Sequence, residues 1–255
     1  SNMAAGVDNI DVAACTKRGI PVGNTPGAMT DATADLTMCL LLAAARRLSE
    51  SARDAHAGRW TTWSPTGWLG ADLRGATLGI LGLGKIGRAV AERARGFGLR
   101  VSYWQPDRSP ENEALTGARY VSFDELLSVS DFVSLHCPLN ESTRGLIGES
   151  ALRKMKPTAI LVNAARGPVV DTDALVRALT EGWIASAALD VTDPEPLPMD
   201  SPLLGLENCL IVPHLGSASK KTRDLMSLLA AQNLIAGIKG EALPNCVNPQ
   251  VNPRT

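Results

Sequence analysis

The chain has 255 residues, with 25 Lys and Arg against 26 Asp and Glu, and its hydrophobic content is 45%. This length suits one large α/β domain, or one domain with fragments of another, and it provides a sizeable core. A formal net charge of −1, without a long run of Lys or Arg, argues against a basic face for nucleic acid or a membrane surface. We therefore expect neither a nucleic-acid partner nor a membrane partner.

The cysteines are scattered along the chain and form neither a CxxC pair nor a metal-ligand pattern: Cys15, Cys39, Cys137, Cys209 and Cys246. This odd number of widely spaced cysteines predicts reduced, buried thiols in an intracellular protein. We expect a cytoplasmic location and no metal site.

The longest apolar run of the chain, residues 36–45, predicts a helix. Thr30 and Asp31 precede it, where a helix start favours capping and acidic groups. Arg46 and Arg47 follow it, where the helix dipole favours cations. Because a bilayer span needs about 20 apolar residues, this shorter run predicts a buried helix.

A segment interrupted by Pro and Gly follows, and it holds three of the five tryptophans, Trp60, Trp63 and Trp68. Such a segment is not a regular helix. Two interpretations stay open: a loop folded onto its own domain, or an arm across a subunit interface, where Trp is enriched. The second interpretation predicts a homodimer.

From Thr77 onward, short β-rich runs alternate with helical segments, as parallel strands joined by crossover helices require. The runs are nearly continuously apolar, which is typical of strands covered on both faces. The sequence therefore predicts an α/β fold with a doubly wound parallel sheet and strands at residues 78–81, 100–104, 132–136, 159–163, 185–190 and 210–212. A last helix, residues 220–238, places apolar side chains at helical spacing and needs an apolar cover: Leu225, Leu228, Ala231, Ile235 and Ile238.

The first predicted strand runs directly into GLGKIG, which has GxGxxG spacing, and then into a helical segment. In such a motif the first glycine permits a tight turn, the second lets the backbone approach a pyrophosphate, and the third lets the helix pack on the strand. This context predicts a Rossmann-type coenzyme domain whose cofactor-binding residues include Gly82, Gly84, Lys85, Ile86 and Gly87.

The end of the second predicted strand bears on the choice of cofactor. NAD-binding domains place Asp or Glu there to bind the ribose 2′-hydroxyl, and this chain has Gln105. A neutral side chain removes repulsion of a 2′-phosphate, and Arg108 offers a charge-assisted contact to it. NADP(H) is favoured, and NAD(H) stays possible because Asp107 is available for the acidic role.

Three charged side chains follow late strands, at the rim where ligands bind in open α/β sheets: Arg166, Glu195 and His214. His214 is the best candidate acid, because a carboxylate neighbour such as Glu195 stabilises an imidazolium. Arg166 supplies a fork of donors for a carboxylate or a polarised carbonyl. Taken singly, each such residue is more often structural than catalytic, and it is their joint placement around a dinucleotide fold that favours catalysis.

The remaining candidates are weaker. His136, at the end of the third predicted strand, could line an adenine pocket without performing chemistry, and His56 is expected to be solvated. Cys137 has neither a base nor an activating charge at motif spacing, so it is interpreted as a packing residue.

Several segments together resemble the D-isomer-specific 2-hydroxyacid dehydrogenase family, in the family's order and over nearly the whole chain: GVDNIDVAACTKRGIPVGNTPG, GLGKIG, HCPLNESTRGLI, LVNAARGPVVD, LDVTDPEPLP and PHLGSAS. In detail, WTTW, DVTDPEPLP and HLGSASKKTRDLMSLLAAQNL are similar to the glyoxylate/hydroxypyruvate reductases of this family. The resemblance implies an oxidoreductase that transfers a hydride from NADPH or NADH to a small 2-keto acid, giving glycolate or D-glycerate.

The resemblance also implies residue roles. Arg166, Glu195 and His214 would be the catalytic set, and Arg166 would bind the substrate with the backbone of Ala5 and Gly6. Asp190 would hold the nicotinamide amide. Further cofactor contacts would come from Pro138, Ala164, Arg166, His214 and Gly216.

Family members carry a flavodoxin-like substrate lobe ahead of GVDNID, and the resemblance implies that this chain holds only remnants of it. The implied organisation is a substrate-domain remnant at 1–24, a dinucleotide-binding domain at 25–216, and a C-terminal helix and tail at 217–255 that return to the substrate domain. We expect cofactor binding with weak or absent turnover, and an incompletely covered last helix.

Three other classes of protein share features with this sequence. Formate dehydrogenases pair their His with Gln, whereas this chain offers Glu195. Phosphoglycerate dehydrogenases typically read HLGAST where this chain reads HLGSAS. A non-catalytic NAD(P)-sensing module of the corepressor type retains the same active-site residues, so it stays open.

Overall fold

A computed structural model describes residues 1–251 of the chain. The chain forms two compact units. The larger unit is Thr33–Gly216, and the smaller unit combines Ser1–Ala32 with the chain from Ser217 onward. The assignment of the terminal segments to a substrate domain stays a prediction.

The larger unit contains a parallel sheet with the strand order β3-β2-β1-β4-β5-β6-β7. Its strands are β1 (Thr77–Leu81), β2 (Arg100–Trp104), β3 (Arg119–Tyr120), β4 (Phe132–Leu135), β5 (Ile160–Asn163), β6 (Ser186–Leu189) and β7 (Cys209–Ile211). The order reverses between β1 and β4, which is the point where doubly wound sheets bind dinucleotides. The predicted α/β fold class is confirmed.

The predicted strands lie within one or two residues of the observed ones, because their apolar runs match strands that are buried on both faces. Along β4, alternate side chains enter opposite cores: Phe132 enters one, and Val133 and Leu135 enter the other. Burial of such side chains stabilises the fold by about 1.5–3 kcal/mol each. The short edge strand β3 was not predicted, since Arg119–Tyr120 carries no apolar run.

Helices cover both faces of the sheet and extend into the smaller unit: α1 (Val12–Lys17), α2 (Thr30–Ala45), α3 (Leu48–His56), α4 (Lys85–Gly96), α5 (Pro110–Thr116), α6 (Phe123–Val129), α7 (Glu149–Leu152), α8 (Thr172–Thr180) and α9 (Lys220–Lys239). The predicted apolar helix is α2, and it buries Met38, Leu40 and Leu41. Within the described part of the chain, no helix combines the length and apolar character that a bilayer crossing requires.

In the smaller unit, helix α9 buries a face that its apolar pattern did not indicate. The buried residues include Asn233 and Ala236, whereas Leu228 and Ile238 are 55% and 77% exposed. The reason is a polar anchor: Asn233 donates from Nδ2 to the carbonyl of Asn24 (2.8 Å), and its Oδ1 accepts from a backbone amide 12 residues further on. The apolar face named from the sequence therefore remains exposed, as expected for an incompletely covered helix.

One expectation about surface residues needs correction. All five cysteines are free, but only Cys209 is buried, and Cys39 is exposed on the outer side of α2. The prediction of buried thiols is wrong for Cys39, and Cys15, Cys137 and Cys246 are only half-buried, because the prediction rested on residue type alone. In the tryptophan segment, Trp60 and Trp63 are 71% and 79% exposed, whereas the Trp68 ring lies 5.0 Å from the guanidinium of Arg47 on the same unit, so both interpretations of this segment stay open.

Candidate active site

Three adjacent parallel strands of the larger unit deliver the candidate residues to one edge. Strand β5 ends at Asn163, β6 at Leu189 and β7 at Ile211, and these strands pair in that order. Arg166, Asp190 and His214 each follow one of these ends by one to three residues. The parallel pairing therefore places all three at the carboxyl edge of the sheet, where open α/β sheets bind ligands.

The two residues predicted as acid and partner are in direct contact. Nδ1 of His214 lies 2.5 Å from Oε1 of Glu195, and Oε2 of Glu195 accepts from the backbone amide of Thr192 at 3.3 Å. The side chains are 49% and 40% exposed. Because the carboxylate accepts from Nδ1, the Nε2 atom of the ring is left to exchange a proton with a ligand.

A tight turn presents the imidazole. His214 has a left-handed backbone, with φ of 53°, and its amide donates to the carbonyl of Asp190 at 3.0 Å. The buried carboxylate of Asp190 accepts from the amides of Leu215 and Gly216. Burial raises the pKa of Asp190, while the two amides and the nearby His214 act in the opposite direction. Asp190 thus fixes the turn of His214; its predicted contact with a nicotinamide amide stays a prediction.

Arg166 is held by the buried residue that ends β5. Asn163 is 1% exposed; its Nδ2 donates to the carbonyl of Arg166 (2.9 Å) and its Oδ1 accepts from the amide of Ala165 (3.0 Å). The Nη1 atom of Arg166 donates to the carbonyl of Ala165 at 2.8 Å. Asn163 was missed in the sequence, where the signal was a polar residue ending an otherwise apolar strand.

The loop that carries Glu195 packs directly on the residue after Arg166. A Cβ atom on Gly167 would lie 1.9 Å from the carbonyl oxygen of Thr192, so only glycine fits there. The hydroxyl of Thr172 donates to the carbonyl of Asp193 at 3.1 Å and secures the same loop. Gly167 therefore joins the segment of Arg166 to the segment of Glu195, which the spacing of the sequence did not reveal.

The glycine motif forms a cradle that fits a dinucleotide phosphate. A Cβ atom on Gly82 would lie 2.9 Å from the carbonyl oxygen of His136, and one on Gly87 would lie 2.2 Å from the carbonyl oxygen of Gly82. Gly84, by contrast, has open space around it and begins α4 without a side-chain cap. The backbone amides of this helix start are suited to phosphate oxygens. Lys85 is exposed and Ile86 is half-buried beside them.

The end of β2 is tied to the same motif. Oε1 of Gln105 accepts from the amide of Leu83 at 2.9 Å, and its Nε2 donates to the carbonyl of Asp107 at 2.7 Å. Arg108 forms a bidentate pair with Glu113, with both contacts at 2.8 Å. Sequence reasoning did not identify Glu113.

His136 and Cys137 lie at the end of β4, beneath the glycine motif. Nε2 of His136 lies 2.8 Å from the hydroxyl of Ser134, and its Nδ1 is buried without a hydrogen bond to any residue of 1–251. Burial lowers the pKa of His136 to about 4 and raises the pKa of Cys137. Cys137 packs against the core, as expected. His56 is exposed.

The other predicted contacts are distributed over both units. Pro138 is exposed after β4, and Ala164 is buried after β5, so both follow strand ends at the carboxyl edge. In the smaller unit, the carbonyls of Ala5 and Gly6 accept from the side chains of Asn24 and Asn2. The roles of Ala5 and Gly6 in substrate binding stay predictions.

Comparisons with known proteins identify the family of this chain. A family model described as D-isomer specific 2-hydroxyacid dehydrogenase, NAD binding domain, matches residues 38–216. The chain is 54% identical to a glyoxylate reductase of Korarchaeum cryptofilum over 252 residues, which are 98% of this chain and 76% of that protein. It is 47% identical to the glyoxylate reductase/hydroxypyruvate reductase of Homo sapiens, over 96% of this chain and 75% of that protein.

Among solved structures, the chain is similar to an NADPH-dependent glyoxylate/hydroxypyruvate reductase from Sinorhizobium meliloti, crystallised in complex with NADP and malonate. The TM-score is 0.89 at 33% sequence identity, and the match covers 100% of this chain and 78% of that one. The chain belongs to the D-isomer-specific 2-hydroxyacid dehydrogenase family.

Proposed function

We propose that this protein reduces glyoxylate or hydroxypyruvate to glycolate or D-glycerate, with NADPH as the favoured hydride donor. One observation carries the proposal: the 2.5 Å pair of His214 and Glu195 stands at the carboxyl edge of a sheet that also bears a glycine cradle. The names of the relatives, glyoxylate reductase and glyoxylate reductase/hydroxypyruvate reductase, support the substrate class.

The chemistry follows from the residues in place. A bound reduced nicotinamide supplies the hydride that the keto carbon accepts. His214 delivers the matching proton from Nε2 to the substrate oxygen, while Glu195 accepts from Nδ1 and stabilises the positive charge of the ring before transfer. The fork of Arg166 orients the substrate and stabilises negative charge on its oxygen. The overall change consumes one NADPH and one proton for each 2-hydroxy acid formed.

The preference for NADPH rests on the end of β2. Gln105 is neutral, so it does not repel a 2′-phosphate, and both ends of its amide are engaged by backbone groups. Arg108 supplies a positive charge three residues further on. A relative of known structure is described as NADPH-dependent, which supports the same preference.

The test is oxidation of NADPH and of NADH by this chain, with glyoxylate and with hydroxypyruvate, measured at high protein concentration so that slow turnover is detected. We expect the 2-keto acid to stimulate oxidation of the cofactor. At limiting cofactor concentration, NADPH is expected to be oxidised faster than NADH. Cofactor binding without any oxidation, even in a single turnover with the chain in excess over NADPH, would favour the corepressor-type sensing module instead. Oxidation of NADH with phosphohydroxypyruvate alone would favour a phosphoglycerate dehydrogenase.

We also propose a homodimer formed through the coenzyme domain, and a cytoplasmic location. The high exposure of Trp60 and Trp63 supports the dimer, since large exposed aromatic side chains are enriched at interfaces. Sedimentation of the purified chain tests it, and a monomer at micromolar concentration would contradict it.

A further inference from the structure

We propose that Glu113 sets the preference for NADPH by holding Arg108 in the orientation that receives the 2′-phosphate. This inference rests on the proposed cofactor function and adds a specificity-determining residue to it. Glu113 lies on α5, outside the glycine motif and outside the strand end where dinucleotide folds ordinarily place their ribose-binding side chain.

Glu113 is itself firmly held. Its Oε1 accepts from the phenol of Tyr103 at 2.7 Å, and Tyr103 is fully buried on β2. The Tyr103 hydroxyl also accepts from the amide of Ser109 at 2.9 Å. The Glu113 side chain is only 17% exposed. The carboxylate is therefore fixed to the sheet and not only to its own helix.

The fixed carboxylate orients a largely exposed side chain. Arg108 is 61% exposed, and its Nε and Nη2 atoms donate to the two oxygens of Glu113 at 2.8 Å each. A guanidinium has five N–H donors; two are used here, so the Nη1/Nη2 edge keeps three. That edge matches a phosphate in the same forked geometry. The pair thus leaves Arg108 competent to bind a phosphate and reduces the conformational entropy lost on binding.

Side-chain contacts tie this pair to the glycine motif. Asn112, the neighbour of Glu113, donates from Nδ2 to the carbonyl of Leu83 at 2.8 Å. Gln105 bonds the amide of the same Leu83, which lies between Gly82 and Gly84. Arg108 and Glu113 are therefore attached to the loop predicted to hold the pyrophosphate.

The experiment measures equilibrium dissociation constants for NADPH and NADH by fluorescence titration. Glu113→Ala is expected to raise the NADPH dissociation constant by about 3- to 10-fold, which is the effect of releasing one immobilised long side chain. The NADH dissociation constant is expected to change by less than twofold. Glu111→Ala is the matched control, since it removes the same charge from the exposed side of the same helix. It is expected to leave both affinities within twofold.

A double-variant cycle separates orientation from general electrostatics. In an Arg108→Ala background, Glu113→Ala is expected to have no further effect on NADPH affinity. The inference would be overturned if Glu113→Ala left NADPH binding unchanged or made it tighter. It would also be overturned if Glu113→Ala weakened NADPH binding as much in the Arg108→Ala background as in the parent chain. Glu113→Gln keeps the acceptor for Tyr103 and repeats the test if the alanine variant unfolds.

The two proposals fail differently. If Arg108→Ala weakens NADPH selectively and Glu113→Ala does not, the inference is wrong while the NADPH preference stands. If the unaltered chain binds neither cofactor, both are wrong.

Discussion

The imidazole of His214 and the carboxylate of Glu195 meet through a 2.5 Å contact between Nδ1 and Oε1, although the residues are 19 positions apart. Each is fixed independently of the other. The backbone amide of His214 donates to the carbonyl of Asp190, and Oε2 of Glu195 accepts from the amide of Thr192. The pair is therefore held in place by hydrogen bonds within the protein itself, which reduces the reorganisation needed when a substrate arrives.

Replacing the carboxylate tests what the contact does. Glu195→Gln keeps the side-chain shape but removes the negative charge. Nδ1 of His214 then faces either the oxygen or the nitrogen of a neutral amide. We expect the single-turnover oxidation of NADPH by glyoxylate to fall by about 10²-fold or more, with the NADPH dissociation constant within twofold. Glu207→Gln, at an exposed carboxylate elsewhere on the same unit, is the control. An equal rate in the two variants would remove Glu195 from the mechanism.

The contact between Gly167 and the loop of Glu195 predicts a coupled effect on stability and rate. In Gly167→Ala the new methyl group would lie 1.9 Å from the carbonyl oxygen of Thr192, so the loop must move. We expect the free energy of unfolding to fall by about 1–3 kcal/mol, and the reduction rate to fall as Glu195 shifts. Urea unfolding and rapid-mixing kinetics measure the two effects.

Gly205→Ala is the matched control, because nothing lies within 4 Å of its added Cβ atom. It is expected to change neither quantity appreciably. A Gly167→Ala variant that is as stable and as fast as Gly205→Ala would show that the close approach has no consequence.

A substitution at Gly84 tests whether the space beside this residue is needed for a ligand, because the protein itself does not fill it. A Cβ atom there meets no protein atom within 4 Å, and the position begins α4 without a side-chain cap. We expect Gly84→Ala to change the free energy of unfolding by no more than about 1 kcal/mol. Binding of both NADPH and NADH should weaken by about tenfold or more, since the methyl group stands where the backbone approaches phosphate.

Gly96→Ala, at the other end of the same helix and equally free of neighbours, provides the comparison for calorimetric titration. It is expected to keep full cofactor affinity, with stability unchanged or higher by up to about 1 kcal/mol. If Gly84→Ala also binds both cofactors normally, the phosphate cradle is placed wrongly.

The burial of His136 predicts a pH dependence of stability. Its pKa is about 4 in the folded protein, against roughly 6.5 in an unfolded chain. As the pH falls below about 6.5 the unfolded chain takes up the proton first, so the folded state loses stability until the pH reaches the folded pKa. The contribution of this one group is at most roughly 3 kcal/mol.

Urea unfolding at several pH values between about 4.5 and 7 measures this contribution. In His136→Gln, which removes the titrating ring but keeps a group able to bond Ser134, the unfolding free energy should change less across that range. The same pH slope in the variant as in the parent chain would exclude His136 as the source.

The fold was largely predictable because its strands are buried on both faces. Ile160–Asn163 and Phe132–Leu135 are apolar runs bounded by turn residues, and such runs identify a strand locally. The edge strand Arg119–Tyr120 and the buried face of α9 could not be predicted in this way. The contacts that determine them are long-range and polar, as in the bond from Asn233 to Asn24, and no local sequence pattern indicates such contacts.

The candidate site divides in a similar way. His214, Glu195 and Arg166 could be nominated because charged residues after apolar strands converge at a parallel sheet's carboxyl edge. The residues that hold them could not be nominated: the side chain of Asn163 bonds the backbone around Arg166, and Gly167 packs against the backbone of Thr192. Each depends on which loop packs beside which, and that is a property of the tertiary structure.

The central claim is that His214 supplies the proton for reduction at a site where the cofactor binds independently of it. The most direct measurement is the single-turnover rate of NADPH oxidation by glyoxylate in His214→Ala, beside its NADPH dissociation constant. His56→Ala is the control, since His56 is the other exposed histidine. We predict a rate lower by about 10²–10⁴-fold, with NADPH affinity within twofold of the parent chain and no change in the control. A His214→Ala rate equal to that of His56→Ala would contradict the account.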